Sequence, residues 1–201
     1  IRKNVWSSGV TYDMWRNDIS RDKPSLPSGS FDIYSANYYV MNSDYRVYIC
    51  LYNNATVENN FQGGPSLDEP TFTDLEPRAA GSSGDGYIWK YLYTIKPNEV
   101  VKFESTDFMP VPANWGSGGD NAPVRDNAVD GSIKIVTVTN AGVGIGTANQ
   151  TYTRVPIEGD GSGAECTITV GADSKVSGVT VSNQGSNYSY GSVNLVGGNV
   201  P

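Results

Sequence analysis

The sequence predicts a mainly β protein, with a β-sandwich-like core and long loops, followed by a small glycine-rich all-β repeat module. Three observations carry that reading. The first is the alternation in Tyr87-Ile88-Trp89-Lys90-Tyr91-Leu92-Tyr93-Thr94-Ile95. In an extended chain it sets Tyr87, Trp89, Tyr91, Tyr93 and Ile95 on one face. Each ring can bury ~150–250 Å², so this row is expected inside a core, anchoring the loop before it. The second is composition: 23 glycines and 13 tyrosines in 201 residues, with 17% charged, suit short strands and many turns. The third is an internal repeat in the last third of the chain.

The elements follow in order. Trp6, Val10 and Met14 recur at near-helical spacing, interrupted by Gly9, and residues 12–16 read as a short helix or an irregular arm. Residues 24–29 read as a loop. Residues 36–41 and 45–52 read as strands, joined through Asn42-Ser43-Asp44 into a hairpin that should lie beside 87–95. Residues 53–84 hold Pro65, Pro70 and Pro77 and lack periodicity, so they read as an extended arm that reaches a neighbour and can be removed without losing the fold. A turn is expected from Pro97, and loops over 104–128 that, like 53–84, reach neighbours. The predicted domains are therefore 1–128, the β domain with long loops, and 129–201, the repeat module.

In that module Ile133-Lys-Ile-Val-Thr-Val-Thr-Asn-Ala-Gly142 aligns with Val176-Ser-Gly-Val-Thr-Val-Ser-Asn-Gln-Gly185, an offset of 43 positions counted from Ile133 to Val176. Ile145 then matches Tyr188. After a gap, Val155-Pro-Ile157-Glu-Gly159 matches Val193-Asn-Leu195-Val-Gly197. Each copy reads strand, Asn-x-Gly turn, loop, strand. Residues 164–170 read as a further strand and 171–174 as a turn. The chain opens at Ile1 without an initiator methionine and stops at Pro201 within the second copy, so it is expected to be a piece of a longer protein.

Chemistry is sparse. The chain has no histidine, which removes Ser/His/Asp and Cys/His nucleophilic arrangements from it. Paired carboxylates for glycoside hydrolysis could come from Asp68, Glu69, Asp74, Glu76 and Asp85, and Asp85 near Trp89 alone resembles an acid beside a sugar-stacking ring. Gly142-Val143-Gly144-Ile145-Gly146 has the look of a phosphate loop but no helix is expected after it, so it reads as a turn. Asp160 in Gly159-Asp160-Gly161-Ser162-Gly163 could supply one calcium ligand, and a turn reads better. Tyr188 and Tyr190 beside Asn187 could form a carbohydrate platform; a core or turn role is the plainer reading. Sequons at Asn54, Asn149 and Asn187 matter only in a eukaryotic secretory route. Cys50 and Cys166 read as buried reduced thiols. No catalytic, cofactor-binding or metal-binding residue is expected. The net charge of −7 disfavours nucleic acid, and no run of ~18 apolar residues suggests a membrane helix.

Four segments carry a family resemblance: Tyr12-Asp13-Met14-Trp15-Arg16, Asn37-Tyr38-Tyr39-Val40-Met41, Tyr45-Arg46-Val47-Tyr48 and Asp85-Gly86-Tyr87-Ile88-Trp89-Lys90-Tyr91-Leu92. In content and order they resemble the baseplate wedge protein of T-even-type contractile-tailed bacteriophages, in its cyanophage-like version. The similarity spans roughly residues 1–125; the repeat module departs from the T-even pattern. It implies a structural subunit of the virion tail baseplate, assembled in the bacterial host cytoplasm. It further implies a homodimer that contacts other wedge proteins and takes part in the rearrangement on contraction, with no enzymatic activity, no cofactor, no nucleic acid and no membrane. The alternative from the residues is a carbohydrate-binding β module or tail adhesin.

Overall fold

Asn42 decides where the first hairpin turns. Its Oδ1 accepts from the backbone N–H of Asp44 (3.0 Å) and Arg46 (2.8 Å), and Tyr45 takes a left-handed φ of 59°, a conformation that costs a bulky residue unless its surroundings hold it. In the computed structural model, which describes residues 1–195, this turn joins β1 (Tyr39–Met41) to β2 (Arg46–Asn53). β2 pairs on its other side with β3 (Tyr87–Thr94), giving an antiparallel sheet in the order β1-β2-β3. Two short helices follow, α1 (Pro97–Phe103) and α2 (Ala122–Asp126), where a turn and a loop were expected. Pro97 pre-sets the first turn of α1, and Glu99 accepts from the N–H of Lys96 at 2.9 Å, which caps it. The chain is mainly β, with 27% strand and 6% helix, and divides into two units, Ile1–Asn127 and Ala128–Pro201. Among the described residues no helix is long and apolar enough to cross a membrane.

The aromatic row of β3 is buried apart from the half-buried Tyr91, but it does not stay on one face. Val47 opposes Tyr93 while Tyr48 opposes Tyr91, so Leu92 is the extra residue of a bulge. Neighbours on β2 face opposite ways, and their partners must follow. Tyr87, Trp89 and Tyr91 therefore share one face, and Tyr93 and Ile95 the other. The packing agrees. Tyr87 stacks on Trp89 (5.3 Å), Tyr12 meets Trp89 edge-on (5.7 Å), and Tyr91 and Phe72 both meet Tyr48 edge-on. Tyr93 and Ile95 instead join Met41, Val47 and Met109, with Leu92 and Trp115 packed against them. A second bulge, at Leu51, keeps Asn53 opposite Tyr87. Strict period-2 counting cannot see either insertion.

Irregular chain, not a second sheet, forms the layers over this sheet. The N-terminal segment runs along β1, with Met41 N–H donating to Asn4 O (2.8 Å) and Trp6 N–H to Met41 O (2.9 Å). Arg78 and Trp89 exchange both backbone bonds at 3.0 Å on the far edge of β3. Pro77, next to Arg78, lacks the N–H that a ladder strand needs.

Residues 53–84 are not a free arm. Asn42 Nδ2 donates to Pro70 O (2.8 Å), the Arg46 guanidinium to Thr71 O, Tyr48 O–H to Phe72 O (2.6 Å) and Lys90 Nζ to Leu75 O (2.8 Å). Tyr87 O–H donates to Gly64 O at 2.6 Å. The segment lies on the sheet and satisfies the polar tips of its aromatic side chains, so it is not the unpacked arm that was expected.

The second unit contains β4 (Thr151–Pro156), β5 (Glu158–Gly159), β6 (Ser162–Val170), β7 (Val176–Ser186) and β8 (Gly191–Ser192). They form an antiparallel sheet β4-β6-β7 and a pair β5-β8. Val155, Ile157, Ala164, Cys166 and Ile168 form its core, with Val193 and Leu195 packed against them. The remainder of the second repeat copy, Val196 and Gly197, lies outside the described residues. Residues 133–141, expected as a strand, run beside β7 and bond to it at their two ends without a regular ladder.

Candidate functional site

Aspartates in this chain tie loops together. Asp85 Oδ2 accepts from the N–H of Leu67 (2.8 Å) and Asp68 (3.4 Å), and its Oδ1 from the N–H of Tyr87 (3.0 Å). Asp68 accepts from Ser83 N–H at 2.7 Å. Hydrogen bonds from the Ser83 side chain and backbone hold the Asp68 carboxyl below its ordinary range. A general acid needs the opposite shift. Glu69 accepts from Ser43 N–H (2.7 Å), Asp74 pairs with Arg78 (3.0 Å) and Glu76 accepts from Asn127 (2.9 Å). The structure thus brings Asp85 and Asp68 together, as the clamp that closes the long segment onto the start of β3. Trp89 is fully buried, with Tyr87 and Tyr12 against its ring. It offers no face to a sugar, and the Asp85–Trp89 glycosidase arrangement is not formed.

Asp13 was not singled out as a site residue, and no local pattern marks it. It is fully buried and accepts from Ser28 N–H (2.9 Å), Ser28 O–H and Asn37 N–H (3.4 Å). Asn37 Oδ1 in return accepts from Asp13 N–H at 2.7 Å. Beside it, Tyr12 N–H donates to the Tyr87 hydroxyl (3.0 Å), Asn53 Nδ2 donates to Tyr12 O (2.8 Å) and Trp15 N–H donates to Cys50 O (2.9 Å). Buried polar groups are costly unless paired. This knot pairs most of them across residues distant in sequence, leaving Asn53 Oδ1 and Trp89 Nε1 without a partner among the described residues, and locks the N-terminal segment onto β2 and β3.

In the second unit Asp160 plays a similar part. It accepts from Ser189 N–H (2.9 Å), Ser189 O–H and Tyr190 N–H (3.2 Å). These bonds, the Ser189 side chain first, bring its carboxyl down to about 2. Its oxygens serve a turn, and no group of three metal-capable side chains exists among the described residues. Gly142 N–H donates to Asn140 Oδ1 (2.9 Å), an Asx turn that opens the glycine-rich stretch, for which a β-turn was expected. Tyr188 O–H donates to Ile157 O (3.1 Å) and accepts from Ala164 N–H (3.2 Å), and its ring packs on the core. Of the two rings of the supposed carbohydrate platform, Tyr188 is half-buried and Tyr190 stands open, at 65% exposure. The sequon residues Asn54, Asn149 and Asn187 all occupy left-handed turn positions. Cys50 and Cys166 are buried free thiols, and burial pushes both upward in pKa, away from the thiolate that reactivity requires.

The exposed apolar side chains of the first unit form its other notable feature. Val101 is 87% and Phe103 65% exposed on α1, a helix with no buried residue. Ile33 and Tyr34 are likewise exposed, and Tyr34 meets Phe108 edge-on at 5.8 Å. No family model, no curated protein and no solved structure matches the chain.

Proposed function

We propose that the chain is a structural subunit of a phage tail baseplate wedge, assembled in the bacterial host cytoplasm and carried in the virion. Its partners are other wedge proteins and a second copy of itself, and it engages neither nucleic acid nor membrane. It holds no cofactor and performs no catalysis. One observation carries the reading: of the four segments on which the family resemblance rests, three meet in the buried knot and the fourth lies beside it, Tyr48 against Tyr91. Asp13 bonds Asn37, Tyr12 bonds Tyr87 and packs on Trp89, and β2 lies between them. Matches scattered by chance would have no reason to meet. The resemblance therefore falls on the residues that define this unit's core.

A subunit of this kind must also bury surface against its neighbours. Residues 53–84 are spent on the sheet, so the docking role passes to the exposed apolar side chains, foremost Val101 and Phe103. α1 buries none of its residues, so replacing both with aspartate leaves the unit folded. The double variant Val101→Asp/Phe103→Asp, with an unchanged melting temperature, is expected to stay out of purified tails. Normal incorporation would overturn the assignment of this surface.

A further inference from the structure

Residues 131–145 and 174–188 pair with the reciprocity of a two-fold axis. Ile133 N–H donates to Gln184 O at 2.9 Å. Moving both partners by the repeat offset, which carries Ile133 onto Val176 and Gln184 back onto Ala141, gives the bond Val176 N–H to Ala141 O, also present at 2.9 Å. Ile145 N–H donates to Ser174 O, and its counterpart Tyr188 N–H donates to Gly131 O, both at 3.0 Å. In a self-complementary interface residue i meets j, and j meets i. Backbone conformation follows the same rule: left-handed φ values recur at Gly131 and Ser174, Gly142 and Gly185, and Gly144 and Asn187. Asn140 accepts from Gly142 N–H as Asn183 accepts from Gly185 N–H. Ile133 and Val136 pack on the same core as their counterparts Val176 and Val179.

The symmetry breaks at one edge. β7 carries β6 along the side turned away from the first copy. The register shifts of β7 at Ser177 and Ser182 leave Gly178, Thr180 and Asn183 on the side of β6 and Val176 and Gln184 on the side of the first copy, so in the first copy the backbone of their counterparts Ile135, Thr137 and Asn140 is turned outward. Among the described residues no backbone hydrogen bond is made by these three. We propose that this edge is a docking site for a β-strand of the β6 pattern supplied by another chain. β6 has Ala164, Cys166, Ile168 and Val170 buried, with Glu165, Thr167 and Thr169 between them. The incoming strand has small or branched apolar residues at alternate positions, with threonine or acid between. β6 itself is held on both edges, by β4 and β7. The register also follows: β6 sets Cys166 against Val181 and Ile168 against Val179. The repeat offset carries Val181 back onto Val138 and Val179 back onto Val136, so the equivalents of Cys166 and Ile168 fall against Val138 and Val136. Main-chain bonds supply the affinity and the alternating pockets the choice of partner.

The docking edge stands or falls independently of the baseplate proposal. It is tested with a fluorescent peptide of residues 161–171 titrated into the full chain. Saturable binding is expected, lost when the peptide carries Thr167→Pro, which cannot ladder. Under mild oxidation the peptide's Cys166 should cross-link to a Val138→Cys chain in preference to Ala172→Cys, a turn position. Absence of saturable binding, undiminished binding of the proline peptide, or equal cross-linking at both positions would overturn the proposal.

Discussion

Trp89 concentrates the energetics of the first unit. It is fully buried between the rings of Tyr87 and Tyr12 and pairs its backbone with Arg78. Trp89→Ala is expected to cost ~3–5 kcal/mol, the range for removing a large buried ring. Denaturant unfolding of the purified variant measures it, and an unchanged midpoint would mean the ring contributes little packing. The glycines of the two repeat turns should differ although their φ values agree. A side chain on Gly142 meets the flexible Ile145 side chain, whereas one on Gly185 meets backbone atoms of Ala164 and Ser162 at 2.6 Å. Gly185→Ala is therefore expected to destabilise the second unit more than Gly142→Ala, by thermal melting. Asp160 supplies a pH dependence. Its folded pKa is depressed to about 2 from 3.8, so its contribution is present above the unfolded value and is lost as pH falls from about 4 through about 2. Asp160→Asn should flatten the melting temperature of the second unit over that interval, and an unchanged slope would remove the clamp from the account.

At the scale of elements, the alternation in β2 and β3 was legible because burial on a pleated sheet demands it. The bulge at Leu92 was not, because one inserted residue leaves the local pattern intact while moving Tyr93 and Ile95 to the other face. The fate of residues 53–84 was also hidden. Their prolines and glycines announce irregular backbone, but the bonds that hold them come from Asn42, Arg46, Tyr48 and Lys90, side chains far away in sequence. Replacing residues 55–82 by a short Gly-Ser linker would uncover Tyr48 and Tyr87 and strand their hydroxyls. The first unit is expected to lose its cooperative unfolding transition. A deletion chain that melts like the parent would restore the picture of a free arm. In the second unit the repeat was legible as a sequence offset, but nothing in that offset showed that the two copies face each other rather than stack in series.

At the scale of the whole molecule, the baseplate proposal rests on what the side chains are used for. The carboxylates that could have formed a catalytic pair close loops, the candidate sugar-stacking tryptophan is enclosed, and large apolar side chains remain open on α1. These features were partly legible: the absence of histidine removed familiar nucleophile chemistry, and the aromatic row announced a core. The long segment reads as free in sequence, because an unpatterned stretch looks so until its distant partners are known. The account's central claim is membership of a baseplate wedge. Cryo-electron microscopy of tails purified from host cells infected by the phage that encodes this chain, the chain bearing an epitope tag, tests it most directly. The expected result is density for the Ile1–Asn127 unit within the wedge, with Val101 and Phe103 of α1 against a neighbouring subunit. Tails of normal structure that lack the tagged chain, or that carry it only on peripheral fibres, would contradict the claim.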